Sequence, residues 1–241
     1  MDILSETWGE LRNNVKRCGF TNCPRNRDET PIFFERSEDS LSRVKFLVLS
    51  QEPGANLRNE VPSEDPDEME DYLLVGCGEV GPKGNNPINK IVKIFCHNFN
   101  PSTDEIYWTH ALKCVPRTNN QQINSDWGES SKCCKQYLIN ELKLLPAKEL
   151  MIVAMGNYAL ALCLHILMNR SLFNVRGIMK YIREVDINKS FTLGGKRVFL
   201  YPFIHPSKRE MVLKRWDHDG KVAKKEEEFI RKIRKNLEVK C

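Results

Sequence analysis

Short apolar runs, separated by charged and Pro- or Gly-containing stretches, recur along the chain. Four of them read as strands: Lys45–Ser50 (KFLVLS), Ile106–Ala111 (IYWTHA), Leu150–Met155 (LMIVAM) and Arg197–Tyr201 (RVFLY). LMIVAM is apolar throughout, the pattern of a strand covered on both faces. Between the runs the apolar period lengthens to that of helices. Pro87–Asn98 opens with Pro, which suits a first helical turn. In Ser131–Leu145, Tyr137, Leu138, Leu142 and Leu145 share one helical face. Asn157–Met168 is apolar almost all round, and Glu226–Leu237 is charged with Phe229, Ile230 and Ile233 on one side. Strands alternating with helices predict an α/β fold: a four-stranded, mainly parallel sheet flanked by helices on both faces. Phe191–Gly195 (FTLGG) reads as a turn into the last strand and leaves room there for an antiparallel addition. Residues 1–44 read as a helix and an irregular arm closing over the sheet.

At 241 residues the chain fits a single domain over 1–241, long enough for a sizeable core. No apolar run approaches the length of a membrane span, and MDILSETWGE lacks the basic-then-apolar pattern of a signal peptide. A cytoplasmic protein, monomeric and without a membrane partner, is expected. The net charge of +5 is mild but unevenly spread. Residues 208–240 hold twelve Lys and Arg against seven Asp and Glu, whereas Glu60–Asp71 is acidic. The basic segment 208–241 reads as helical. It is either a solvated amphipathic face or a surface that meets phosphate by counterion release.

Nine cysteines are many for such a chain. A reducing compartment argues against a disulfide framework. Cys96 and Cys163 stand in apolar helical stretches and read as core, since free Cys behaves as a small hydrophobe. Cys18 and Cys23 form a C-x4-C pair, Cys114 follows the second strand, and Cys133 and Cys134 open a helix. With one of the last two, the chain offers four soft ligands of the kind that bind zinc or an iron–sulfur cluster. Scattered buried thiols are the other reading of the same spacing.

Three strand-end motifs carry the remaining chemistry. The first strand runs into SQEPG, so Gln51 and Glu52 stand at its carboxyl end, where open α/β sheets bind ligands. An amide beside a carboxylate can hold a substrate and a water together, although the pair can also simply cap a loop. The second strand carries Thr109-His110-Ala111-Leu112-Lys113-Cys114-Val115-Pro116. The third motif, His205-Pro206-Ser207, follows the fourth strand. In this order the three resemble the uracil-DNA glycosylase superfamily, and most closely its iron–sulfur branch, family 4. Members of that branch carry a GEAPG-like first motif, a TNxxKCxPP-like second strand and an HPS-like last motif. Cys134-Lys135-Gln136-Tyr137-Leu138 with Glu141-Leu142, IVAMGNYAL (residues 152–160), and Val75-Gly76 with Pro87–Val92 resemble further conserved blocks. The resemblance extends from Cys18 to Ser207.

The resemblance implies a DNA glycosylase that hydrolyses the N-glycosidic bond of uracil or another deaminated base, with DNA as its partner. Cys18, Cys23, Cys114 and Cys134 match the four ligands of a structural [4Fe–4S] cluster, zinc being the alternative. Cys134 is preferred to Cys133 because Tyr137-Leu138 falls at the expected offset from it. The first pair is longer than the usual C-x2-C by two residues. Glu52 matches the water-positioning carboxylate, and Gln51 stands where family 4 has its Glu; the amide-then-acid order resembles the GQDPY motif of family 1. His205 matches the donor to the departing base. Gly54, Tyr72, Leu74, His110 and Ser207 fall at substrate-contacting positions, and Lys208 and Arg209 at positions suited to phosphate. His110 replaces the usual base-reading Asn, and Leu73-Leu74 replaces the usual stacking Phe. His110 either reads another deaminated base or is a core histidine facing away from the pocket. Phe33, Trp108 and Phe203 are expected in the core. An Arg-rich loop with a covalently trapping His is missing after Cys114. The rival reading is a catalytically altered iron–sulfur DNA-binding protein of the same fold.

Overall fold

The computed structural model of the chain describes residues 7–20, 23, 33, 38–51, 105–114, 123–169, 175–205 and 209–238. The sheet has five strands: β1 (Phe46–Ser50), β2 (Ile106–His110), β3 (Glu149–Met155), β4 (Ser190–Leu193) and β5 (Lys196–Phe203). Their order is β2-β1-β3-β5-β4. Neighbours among β2, β1, β3 and β5 run parallel, and β4 is antiparallel to β5. The expected four-stranded sheet is thus corrected to five. The fifth strand is the antiparallel addition at FTLGG, joined to β5 through Gly194 and Gly195. Their φ values of 56° and 79° make the two-residue hairpin turn that glycine permits. Half of β4 is exposed, so no apolar run announced it.

The helices are α1 (Trp8–Lys16), α2 (Glu38–Ser42), α3 (Ile123–Leu144), α4 (Asn157–Met168), α5 (Val175–Glu184), α6 (Arg209–Trp216) and α7 (Lys221–Glu238). They cover both faces of the sheet, which is why Phe46–Leu49 and all of β2 are buried without alternation. Relative to the periodicity, α3 and α7 begin earlier than expected, α2 and α5 were not expected, and α6 falls within the segment 208–241 that reads as helical. The helix expected at Pro87–Asn98 lies outside the described residues. Phe33, Trp108, Phe203 and Cys163 are core, as the sequence suggested; Cys96 lies outside the described residues.

In the amino-terminal region, α1 packs against β2 and α3. Thr7 and Glu10 form a reciprocal capping box at the start of α1, each side-chain oxygen accepting the other's backbone N–H at 3.2 Å. Trp8, Leu11 and Val15, on one face of α1, are buried. Trp8 packs on Phe33 and Tyr107 at ring separations of 5.3 and 5.2 Å, and Tyr137 of α3 donates its hydroxyl to the Asn14 carbonyl at 3.0 Å. Among the described residues, no helix is long and apolar enough to cross a membrane.

Candidate functional site

The strand order fixes where a site can form. From β1 the chain crosses to β2 on one side, then returns past β1 to β3 on the other. The crevice of such a sheet opens at the carboxyl ends of β1 and β3, where the winding reverses. Gln51 follows β1, Gly156 follows β3, and His205 lies two residues beyond β5. The Gln51 carbonyl accepts the Leu112 N–H at 3.0 Å and the Ser50 carbonyl that of Ala111 at 2.9 Å, so the start of the first motif is tied to the end of the second.

On the β5 side, Gly156 donates its N–H to the Phe203 carbonyl at 2.8 Å. Its φ is +87°, and a Cβ built there would stand 3.0 Å from the Cβ of His205. The half-buried His205 therefore lies directly on Gly156. The first turn of α4 rises beside it, where Tyr158 stacks against the buried Trp127 at 4.4 Å between rings.

His110 is paired in register with Ser50, and its Nδ1 hydrogen-bonds the Ser50 hydroxyl. Burial, with the Lys113 charge adding to it, pushes the imidazole pKa down to about 3. The ring is neutral, and the bond to Ser50 selects its tautomer, and hence whether Nε2 donates or accepts. Side chains alternate along a strand, so Tyr107 and Thr109 point away from His110, towards α3. There they donate to Glu141 at 3.1 and 2.9 Å. Lys113 completes this cluster, with Nζ 2.6 Å from Glu141 Oε2 and 2.5 Å from the Thr109 hydroxyl. Both charges are almost wholly buried. The sequence offered Thr109, Lys113 and Glu141 only as pieces of motifs; their pairing rests on β2 facing α3.

That pairing brings the cysteines together. Cys134 and Glu141 are seven residues apart on α3, two turns along one buried face, and Cys114 adjoins Lys113. The Lys113 N–H donates to Cys134 Sγ at 3.5 Å. Cys18 follows α1, its N–H bonded to the Val15 carbonyl, and Cys23 donates its N–H to the Phe20 carbonyl at 2.9 Å while its thiol meets the Ser130 hydroxyl at 3.9 Å. Burial first, then neighbouring Cys23, pushes the Cys133 thiol up to about 12. Cys134 rises to about 12 through burial, against the lowering effect of the Lys113 hydrogen bond, with Cys23 and Cys18 adding to the rise. Tyr137 is raised by burial, its hydrogen bond to Cys18 and the nearby Cys134 and Cys114. All four expected ligands, and Cys133, thus share one neighbourhood. Among the described residues no three His, Cys, Asp or Glu side chains converge on a point for a single ion. The donor set is nonetheless soft, with Cys23, Cys114 and Cys134 buried and Cys18 partly so, and mutually repulsive once ionised, which fits a bound cationic group.

Arg209 opens α6 and pairs through Nε with Glu226 of α7 at 2.9 Å. Glu52, Gly54, Tyr72, Leu74, Ser207 and Lys208 lie outside the described residues. A cavity of about 610 Å³ lies at the opposite end of the strands, lined by Arg43, Lys45, Glu105, Lys148 and Glu149. It sits at the amino ends of the strands, away from the switch point, and ion pairs from Lys45 to Glu105 and Arg197 to Glu149 neutralise charges beside it.

The family model described as the uracil DNA glycosylase superfamily matches residues 37–237. No curated protein matches the chain.

Proposed function

The chain belongs to the uracil DNA glycosylase superfamily, and from that premise we propose that it is a monofunctional DNA glycosylase that removes uracil or another deaminated base and leaves an abasic site. The observation that carries the reading is that Gln51 and Gly156 follow adjacent strands at the switch point of the sheet, with His205 packed on Gly156.

Such a reaction needs a base turned out of the stack. Water adds its oxygen to C1′ of the sugar while the glycosidic bond breaks, its electron pair leaving with the base. Glu52 orients that water and takes its proton. Gln51, lacking a basic group, positions water or base by its amide. The His205 imidazole donates a hydrogen bond to the base as negative charge develops there. His110, neutral and bonded to Ser50, lines the β2 side of the base pocket. Gly54, Tyr72, Leu74 and Ser207 complete the substrate contacts. Lys208 and the guanidinium nitrogens of Arg209 not engaged by Glu226 face phosphate. No motif supplies a Schiff-base Lys, hence the monofunctional assignment.

Cys18, Cys23, Cys114 and Cys134 would hold a [4Fe–4S] cluster, or zinc, with Cys133 as their neighbour. The group would supply structure rather than reaction chemistry, with these cysteines joining the chain after α1 to β2 and α3. A second reading, a DNA-binding protein with an altered pocket, is favoured by His110, whose Nδ1 is committed to Ser50. Excision assays separate the two. Under single turnover, His205→Ala is expected to slow base release by about a hundredfold or more, the usual loss of one anion-stabilising donor. Full excision by Glu52→Gln and His205→Ala together would overturn the assigned roles.

A further inference from the structure

The segment carrying His205 is held by a side chain that the proposed reaction does not call on. Along α7, Val222, Glu226, Phe229 and Ile233 follow one another at helical spacing, and all are buried. Phe229 packs on Tyr201 and Phe203 of β5, with ring centroids 5.7 and 5.9 Å away. A carboxylate in that stripe is costly unless hydrogen bonds and charge compensate it. Glu226, 2 % exposed, has both. Oε1 accepts the N–H of Ile204 at 2.8 Å, and Oε2 accepts the Nε–H of Arg209 at 2.9 Å.

These two partners lie on either side of His205: Ile204 immediately before it, Arg209 four residues after. One carboxylate therefore ties both flanks of the motif to α7. The helix is itself anchored. Asp217 accepts the N–H groups of Val222 and Ala223 at 2.9 and 3.0 Å, and Arg183 of α5 reaches Asp217 at 3.4 Å. From the sheet side, the Gly156 bond to Phe203 and the bare Cα of Gly156 set how deeply the imidazole can sit.

We propose that Glu226 is a positioning residue for His205: it fixes the imidazole over the crevice by clamping Ile204 and Arg209, and it influences base release only through that imidazole. The catalytic consequence rests on the glycosylase reading, whereas the clamp does not.

The experiment uses the full chain, purified without oxygen, as wild type, Glu226→Gln, Glu226→Ala, His205→Ala and the double variant Glu226→Ala/His205→Ala. Glu226→Ala is expected to lower the single-turnover rate at saturating DNA about tenfold; saturation removes any change in DNA affinity from the freed Arg209, so this loss reports placement of the donor. Glu226→Gln, which keeps an acceptor for Ile204 but loses the charge facing Arg209, falls between. The double variant is no slower than His205→Ala alone, because a residue acting only through another adds no separate loss. Amide exchange at Ile204 and His205 should rise about tenfold in Glu226→Ala, with β1 and β3 unchanged. Unchanged exchange at these amides overturns the clamp. Losses that multiply in the double variant overturn action through His205. If wild type releases no base but exchange rises as expected, the clamp stands and the glycosylase reading falls. Should Glu226→Ala fail to fold, Glu226→Gln decides by the same comparisons.

Discussion

At Gly156 two constraints coincide, a φ of +87° and the 3.0 Å approach of the His205 Cβ to the site of any added methyl. Gly156→Ala is expected to cost about 1–3 kcal/mol in urea unfolding through backbone strain alone. It should also slow base release, since His205 must move aside. A variant with wild-type stability and excision would show that neither contact constrains the loop. His110 answers to a different variable. Its pKa is depressed to about 3 in the fold, against about 6.5 when unfolded. The stabilising preference for the neutral ring is thus complete above pH 6.5 and is lost as pH falls from there towards 3. His110→Asn should flatten the decline in unfolding free energy between pH 7 and pH 4, measured by denaturant titration at each pH. The strand-end residues Gln51, His110 and His205 were legible because an apolar run marks each strand and a polar motif follows it. Glu226 was not. The charged helix was expected to begin at Glu226 itself, and only with Val222 one turn earlier does this carboxylate interrupt an apolar stripe.

The pairing of β2 with α3 rests on a buried charge pair, Lys113 with Glu141, and on the two strand hydroxyls that share the carboxylate. Removing one partner leaves the other charge uncompensated in the core. Glu141→Leu or Lys113→Met is expected to cost about 3–5 kcal/mol by denaturant unfolding, and the double variant to recover much of it. Equal, additive losses would mean the two charges do not depend on each other. The apolar runs placed β1, β2, β3 and β5 within a residue or two because a doubly covered strand leaves little else to read. The missed elements lack that signature. The start of α3 is polar (INSDWGESSK), and β4 is an edge strand with half its side chains in solvent.

Across the molecule, five thiols, two following α1, one following β2 and two on α3, meet in one neighbourhood, although Cys18 and Cys134 are more than a hundred positions apart. Spacing in the sequence could not assemble them; the family motifs named four, and the fold shows why they meet. Protein purified without oxygen is expected to carry about four iron and four sulfide per chain. Cys134→Ser should lower both and weaken the hold of the arm on the sheet. Zinc without sulfide would instead establish the alternative metal. Superfamily membership was legible in the same way, from the order of three strand-end motifs; the preferred base was not, because His110 departs from the Asn that reads uracil. The most direct test incubates the metal-loaded chain with single- and double-stranded oligonucleotides containing uracil, hypoxanthine, xanthine or thymine opposite guanine, then reveals abasic sites with alkali. The account predicts strand breaks at one or more of the deaminated bases, lost in His205→Ala. Intact strands at every base, from protein that is fully loaded and bound to the DNA, would contradict it.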